Sequence, residues 1–472
     1  MLLRELFERQ DLPSVEVLGL SNDSRQVVAG DCFFAYKGQS SDGNCFVQEA
    51  IEKGAVAICT DSKSDLNGAV PKIYVRNLAQ EQSEIAGRFF DHPSRSIRCV
   101  GVTGTNGKTS IAYGLSTLLH DSGFGGSVGW GRPPRLNKTS LTTVDAISFQ
   151  AGLSNFVNCG LKHAILEVSS HALHQSRVDG VRFEVGIFSN LTRDHLDYHG
   201  DMREYGRCKS LLFKRPELKL GIVNIDDPFG EEIQHILKQN DTPLLTYGRS
   251  PSANVSWREL RWESDRVFGE WCTPWGSFDF ELPVLSEFSV ANCAAIFACM
   301  HHFGADARDT TFSMRDLQTP PGRMERLNHP SGARAILDFA HTPDALQNVL
   351  SAVKPTVSGK LICVFGCGGD RDQGKRSLMG KIAEKFADFS VITSDNPRFE
   401  EPNKIIDDIV EGFSHRKRYR VEPDRAAAIA FAMNMATKDD LIVIAGKGSE
   451  QFMEIEGQRI PFNDRDSFME NT

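Results

Sequence analysis

Three features of this 472-residue chain predict an α/β fold in three parts. The length exceeds what one hydrophobic core serves, so two or three domains are expected. Short apolar runs alternate with helix-patterned stretches, the rhythm of parallel sheets covered by helices. Nearly every polar cluster also stands just past the carboxyl end of an apolar run, where open α/β sheets hold their ligands. "GTNGKTS", Glu167, "GCGGDRD", "SDNPR" and "AGKGSE" all occupy such positions.

Taken in order, residues 1–96 mix strand-like runs such as "CFFAYKG" with the helical "CFVQEAIEKGA". The strand "SIRCVGVTG" opens a second part, 97–326, which alternates apolar runs with helical patterns. "TPPGRMERLNHPSG", rich in Pro and Gly, reads as a linker. In the third part, 327–472, "ARAILDFA", "KLICVFG", "FSVITS" and "LIVIAG" read as short buried strands with helices between, one of them over 401–413. There is no internal repeat and no low-complexity segment.

Composition narrows the classes. Forty per cent hydrophobic and 24 % charged residues are ordinary for a soluble globular protein. No apolar stretch reaches membrane-spanning length. The start, "MLLRELFERQDLPSVE", has an early acid and no apolar h-region, so no secretory signal is expected. Eleven cysteines without a tight framework indicate reduced thiols and a cytoplasmic setting. Cys363 and Cys367 lack a second pair at zinc spacing, so no structural zinc is expected. A net charge of −9 argues against nucleic-acid binding, and the basic run His415–Arg420 reads as a solvated turn.

The most informative motif is "GVTGTNGKTS", Gly101–Ser110. Gly104 and Gly107 let the backbone turn with its N–H groups inward. Lys108 can reach a β/γ-phosphate and Thr109 can offer a hydroxyl to Mg2+. Ile111, Leu115, Leu118 and Leu119 give the following helix an apolar face, and its positive end adds to the anion site. Val102 occupies the first glycine position of the G-x-x-x-x-G-K-[ST] pattern. A nucleotide loop alone leaves kinase, mechanical NTPase or switch, and ligase open.

With "NDSRQVVAGDCFFAYKG", "LEVSSHALHQSRV", "SNLTRDHLDYHG", "DFAHTPDAL", "FGCGGDRDQGKRSLMG", "SDNPRFEEP" and "AGKGSE", the chain resembles the ATP-dependent Mur ligases of peptidoglycan synthesis over almost its whole length. Among them it is most similar to the MurE type, which extends UDP-N-acetylmuramoyl-L-alanyl-D-glutamate by one amino acid. The resemblance implies an N-terminal UDP-substrate-binding α/β domain, a central P-loop ATPase-like domain and a C-terminal Rossmann-like domain that binds the amino acid. It implies amide formation through an acyl phosphate, with ATP and Mg2+, by a cytoplasmic monomer acting on small molecules, with no nucleic-acid or membrane partner. Folylpolyglutamate synthase is a sibling class; a non-enzymatic nucleotide-binding regulator is a third possibility.

By the same resemblance, Lys108, Glu167, His195 and Lys209 are catalytic. Thr109, Glu167, His195 and a carbamylated Lys209 (N6-carboxylysine) are the Mg2+ ligands. Turning a cation into an anion lets that side chain hold a metal it would otherwise repel, which needs a partly buried lysine able to lose its proton. ATP falls to Gly104, Thr105, Asn106, Gly107, Lys108, Thr109, Ser110, Asn292, Arg323, Asp338 and His341. The UDP-substrate falls to Asn22, Ser24, Arg25, Gln39, Ser40, Ser41, Thr142, Thr143, Ser169, Gln175 and Arg177. Three departures stand out: Ser286-Glu287-Phe288-Ser289 replaces the usual G-x-F-N, Phe339 replaces a tyrosine, and Ser449 stands where histidine is usual.

For the amino acid, the resemblance implies Arg371, Asp395, Asn396, Pro397, Arg398, Gly446 and Glu450. An arginine after D-N-P accompanies meso-2,6-diaminopimelate; L-lysine-adding members lack it. A guanidinium grips a carboxylate through two parallel bonds, each worth about 1.5–3 kcal/mol. Lysine, lacking the distal carboxylate, is expected to leave Arg398 unpaired, a penalty on the order of 10⁴–10⁵-fold in selectivity.

Overall fold

The computed structural model describes residues 1–38, 41–63, 70–139, 141–263 and 266–470. Its first sheet has four parallel strands in sequence order: Gly19–Ser21, Asp31–Ala35, Ala57–Thr60 and Lys72–Tyr74. All five residues of Asp31–Ala35 are buried, as a strand covered on both faces requires. Leu3, Leu6, Phe34, Ile73, Leu78 and Ile85 form its core, which also takes in Ile147 from the second part.

The second sheet has eight strands, in the spatial order Leu244–Tyr247, Leu220–Asn224, Phe183–Phe188, Arg98–Thr103, His163–Glu167, Ser122–Gly126, Gly129–Arg132, Arg135–Asn137. The first six are parallel; the last two continue the edge antiparallel. Helices Lys108–Leu118 and Glu287–His302 pack over one face through Ile111, Leu115, Ile296 and Phe297. A separate antiparallel meander, Ser256–Trp262, Val267–Thr273 and Gly276–Leu282, closes over that core. Its fully buried Trp271 lies 4.3 Å from the Phe280 ring and 5.8 Å from Phe297. The second part is therefore more antiparallel than its sequence rhythm suggested, because edge strands and meanders alternate apolar and polar residues only weakly.

The third sheet runs Glu325–Asn328, Arg334–Asp338, Leu441–Ala445, Leu361–Phe365, Phe389–Ile392, Tyr419–Val421. All its pairs are parallel except the first. Two expectations change here. The segment read as a linker contains the antiparallel edge strand Glu325–Asn328, whose apolar content is one buried leucine, Leu327. The helix expected over 401–413 spans Pro402–Val410; Gly412 then lies so close to the Ser377 carbonyl that no Cβ would fit. The chain finishes with the hairpin Phe452–Ile455/Gln458–Pro461 and the short helix Asp464–Met469. Among the described residues no helix is long and apolar enough to cross a membrane, and all eleven cysteines are free thiols.

Candidate active site

The strand Arg98–Thr103 delivers the phosphate loop to the carboxyl edge of the second sheet. Gly104 and Gly107 have φ of +149° and +85°, values that favour glycine. A Cβ on the first would collide with Ser189 Oγ, and one on the second would stand 2.7 Å from Asn292 Oδ1. Lys108 Nζ folds back on its own loop, donating to the carbonyls of Gly104 (2.8 Å) and Thr105 (2.7 Å). Thr105 and Asn106 tie the loop to the next strand: Thr105 Oγ1 donates to Thr192 O, and Asn106 N to Asn190 Oδ1.

Glu167 ends the neighbouring strand with its carboxylate in reach of the loop. One oxygen accepts from Thr109 Oγ1 at 3.0 Å; the other accepts from the Ser127 amide and hydroxyl at 2.8 and 2.9 Å. Arg323, from the approach to the third sheet, donates to Thr109 Oγ1 at 3.2 Å. Its guanidinium lies 4.4 Å from the centre of the Phe339 ring. A phenyl face is all such a cation–π contact uses, so the missing tyrosine hydroxyl does not disturb it. A cavity of about 130 Å³ collects Asn106, Gly107, Ser110, Asn292, Arg323 and Asp338 between apolar walls that include Val284, Ile296 and Val349. Burial raises the Asp338 carboxyl despite nearby Arg323. Ser286, at the altered G-x-F-N position, caps the helix Glu287–His302 by accepting from Ser289 N at 3.2 Å.

Lys209 projects from the helix Met202–Ser210, which Asp201 caps through the Glu204 amide. The lysine is 1 % exposed and donates to Gly104 O at 2.8 Å. Burial, then the neighbouring Lys108, drives its pKa well below the ordinary lysine value. Close by, His195 sits in left-handed backbone (φ +54°), its ring 4.8 Å from His171. Burial lowers the pKa of His195 to about 2 against the pull of Asp194; burial likewise takes His171 to about 3 and His199 to about 4.

His341 stands outside that cavity. It pairs with buried Asp194 at 3.4 Å, and Lys375 approaches the same carboxylate at 3.7 Å. Burial raises the Asp194 carboxyl, but His341, His195 and Lys375 together hold it well below the usual range. Arg193–Asp372 (2.9 Å), Asn106–Asp344 (3.1 Å) and Arg371–Asp197 (3.6 Å) complete this junction of the second and third parts.

Thr142 is half-buried. Thr143 Oγ1 donates to Glu167 O and accepts from Ser169 N; Arg177 donates to Thr143 O and to Gln175 Oε1. These groups form one cluster beside Glu167. The N-terminal set is more dispersed. Asn22 reaches Asp145 at 3.2 Å, while Ser24 bonds Glu49 and Arg25 bonds Asp23 within the first part. Ser41 is exposed. Gln39 and Ser40 lie outside the described residues.

At the carboxyl edge of the third sheet, Asp395, Asn396, Pro397, Arg398, Gly446 and Glu450 converge. Burial works against an ionised Asp395, but Lys447 and Arg425 prevail and its pKa falls below the usual value. Arg398 (φ +54°) donates from NH1 to Gly369 O at 2.7 Å and from Nε to Glu454 Oε2 at 3.1 Å. The expectation that lysine would leave Arg398 unpaired is thus corrected: Glu454, on the terminal hairpin, already gives it a partner. NH2 makes no hydrogen bond among the described residues.

Four buried cations escaped the sequence reading, Lys375, Arg376, Arg425 and Lys447. Lys447 Nζ bridges Asn396 Oδ1 (2.9 Å) and Glu450 Oε2 (2.8 Å). Its place inside "AGKGSE" was the available signal. Arg425 pairs with Asp464 (2.6 and 2.8 Å) and donates to the carbonyls of Ser394, just past the strand Phe389–Ile392, and of Ala445, which ends Leu441–Ala445; the strand Leu361–Phe365 lies between those two. Helical "DRAAAIAF" offered no hint of it.

Three family models match: Mur ligase family, catalytic domain over residues 16–89; Mur ligase middle domain over 102–300; and Mur ligase, glutamate ligase domain over 322–448. The chain is 39 % identical to the UDP-N-acetylmuramoyl-L-alanyl-D-glutamate--2,6-diaminopimelate ligase of Coxiella burnetii, over 95 % of this chain and 94 % of that one. It is also 39 % identical to the ligase of that name from Pseudomonas aeruginosa, over 98 % and 96 %. A solved ligase of the same name superposes with a TM-score of 0.70 at 33 % identity, covering 99 % and 98 %. Folylpolyglutamate synthase of Mycobacterium tuberculosis, at 18 % identity and TM-score 0.64 over 78 % of this chain and 92 % of that one, shares the fold alone. Near-full-length identity, together with the phosphate loop facing a buried lysine, shows that the chain belongs to the Mur ligase family.

Proposed function

We propose that this protein is the ATP-dependent ligase that joins meso-2,6-diaminopimelate to UDP-N-acetylmuramoyl-L-alanyl-D-glutamate during peptidoglycan precursor synthesis. The observation that carries the reading is the contact of buried Lys209 with Gly104 of the phosphate loop at 2.8 Å. The names of the relatives, at 38–40 % identity over nearly the whole chain, support it.

The terminal carboxylate of the dipeptide attacks the γ-phosphorus of ATP, forming an acyl phosphate and ADP. The amine of the incoming amino acid then attacks the acyl carbon and phosphate leaves. The first step brings two anions together, so the site must concentrate positive charge without flooding itself with water. Lys108, Arg323 and the positive end of the helix Lys108–Leu118 contribute it. The hydroxyl of Thr109 and the carboxylate of Glu167 are the oxygen donors that Mg2+ prefers, and the His195 imidazole is held neutral, as a ligand must be. Lys209, biased to its free amine, is suited to add CO2 and release a proton, becoming a carbamate that completes the set. When bound, Mg2+ neutralises phosphate charge along the reaction path.

On this reading the amino acid lies among Asp395, Asn396, Arg398, Gly446 and Glu450, with Arg371 turning from Asp197 toward its second carboxylate. Thr143, Ser169, Gln175 and Arg177 hold the muramyl-dipeptide, and Asn22, Ser24, Arg25 and the 39–41 turn hold its UDP end. The working domain division is 1–96, 97–324 and 325–472, the second boundary moved from 326 so that the edge strand Glu325–Asn328 stays whole. The enzyme works as a cytoplasmic monomer. Product mass after incubation with the UDP-sugar dipeptide, ATP and either diaminopimelate or L-lysine tests the assignment. A mass gain of one diaminopimelate residue is expected; equal or better use of lysine defeats it.

A further inference from the structure

We propose that His174, Glu204 and Cys208 form a binding site for a borderline-soft divalent cation of the zinc class, separate from the oxygen donors at the phosphate loop. The inference rests on geometry alone and stands whether or not the ligase reading does. One donor atom from each side chain lies within 4.8 Å of the other two, so a small inward rotation brings all three to metal-bonding distance. Glu204 and Cys208 are four residues apart on the helix Met202–Ser210 and share one face of it. Cys208 Sγ already lies 3.4 Å from Glu204 Oε1. His174 ends the helix Ser170–His174 and meets that face from the side. The Tyr198 hydroxyl, 2.8 Å from His174 Nδ1, holds the ring in place, as outer partners of metal-ligating histidines do.

The donor set selects the metal. A thiolate, an imidazole and a carboxylate make a three-ligand site with an open fourth position, as zinc accepts and magnesium does not. The competing partner of Glu204 is Arg207, three residues along the same helix and half exposed. Such a solvent-screened pair yields readily to a metal. Binding releases the Cys208 thiol proton to solvent. Because Cys208 directly precedes Lys209, an ion here sits one residue from the buried lysine. Cysteine spacing could not reveal the site, since its three ligands come from two helices.

The test is a Co2+ titration of the full, reduced chain in excess Mg2+. One equivalent is expected to give tetrahedral visible bands and a near-ultraviolet thiolate-to-cobalt band, both removed by stoichiometric Zn2+. Cys208→Ser is expected to abolish the thiolate band. His174→Ala, at an exposed position that leaves folding intact, removes a direct ligand and is expected to weaken binding by about 100-fold or more, beyond the loss of an outer partner. Absence of a thiolate band, a band that survives Cys208→Ser through another cysteine, or affinity unchanged by His174→Ala would each overturn the proposal. A spectrum with nitrogen and oxygen ligands only, as the His171–His195 pair would give, overturns it equally.

Discussion

Arg398 combines left-handed backbone, a carbonyl partner and a carboxylate partner. A non-glycine residue at positive φ is sustained by its surroundings, and here those are the Gly369 carbonyl and the terminal hairpin. Replacing the fork by a point charge, Arg398→Lys, is expected to lower kcat/KM for diaminopimelate by 10-fold or more while ATP kinetics stay put. Because Glu454 shares the guanidinium, discrimination against lysine should fall short of the unpaired-charge limit. Glu454→Gln should sharpen it, and the ratio of kcat/KM values for the two amino acids measures this. Lys447 poses a cleaner case, buried and bonded to two residues of the proposed amino-acid pocket. Lys447→Met keeps the volume and removes the cation from Asn396 and Glu450, which retain only their direct bond at 2.9 Å. An amino-acid KM raised at least 10-fold with an unchanged ATP KM would identify it as a positioning residue; a uniform loss of folded protein would mark it as structural.

At the scale of elements, Arg425 fastens the carboxyl ends of Phe389–Ile392 and Leu441–Ala445 to the last helix through Asp464, both partners fully buried. Removing one member of a buried pair leaves the other charge uncompensated, at a cost of about 3–5 kcal/mol. Asp464→Ala is therefore expected to lower the unfolding free energy of the third part by that amount, read from the urea dependence of proteolysis within it, with the phosphate-loop part unaffected. The strands Asp31–Ala35, Arg98–Thr103, Arg334–Asp338, Leu361–Phe365, Phe389–Ile392 and Leu441–Ala445, the phosphate loop and the helix after it were legible in the sequence because their patterns are local. The edge strand Glu325–Asn328 was not: four residues with one buried leucine, in a stretch rich in Pro and Gly, carry too little pattern.

Across the whole molecule, the second and third parts meet largely through polar contacts around Asp194, Asp372, Asp344 and Asp197, with Leu285 of the second part entering the third part's apolar core. Interfaces of that kind suit parts that move relative to one another. Beside the junction lie His195, His171 and His199, with burial lowering their pKa values to about 2, 3 and 4. The unfolded chain, with histidines near their ordinary value of about 6.5, takes up protons first on acidification. The stability these groups contribute is thus present above pH ~6.5 and lost as pH falls toward 4. The loss is up to about 1.4 kcal/mol per pH unit for each, less for part-exposed His195. In magnesium-free buffer the Tm should drop between pH 6.5 and 4.5, and a flat profile would contradict this account.

The α/β class, the phosphate loop and the family were readable before any coordinates, because glycine-lysine chemistry at a strand end and short linear motifs are written in consecutive residues. That Lys209 lies against Gly104, that Glu454 shares Arg398, and that Lys447 and Arg425 are buried behind the strand ends carrying Asn396 and Glu450 emerged from the fold. The physical reason is that burial and charge pairing depend on which distant strand ends the sheets bring side by side, and no local pattern encodes that adjacency.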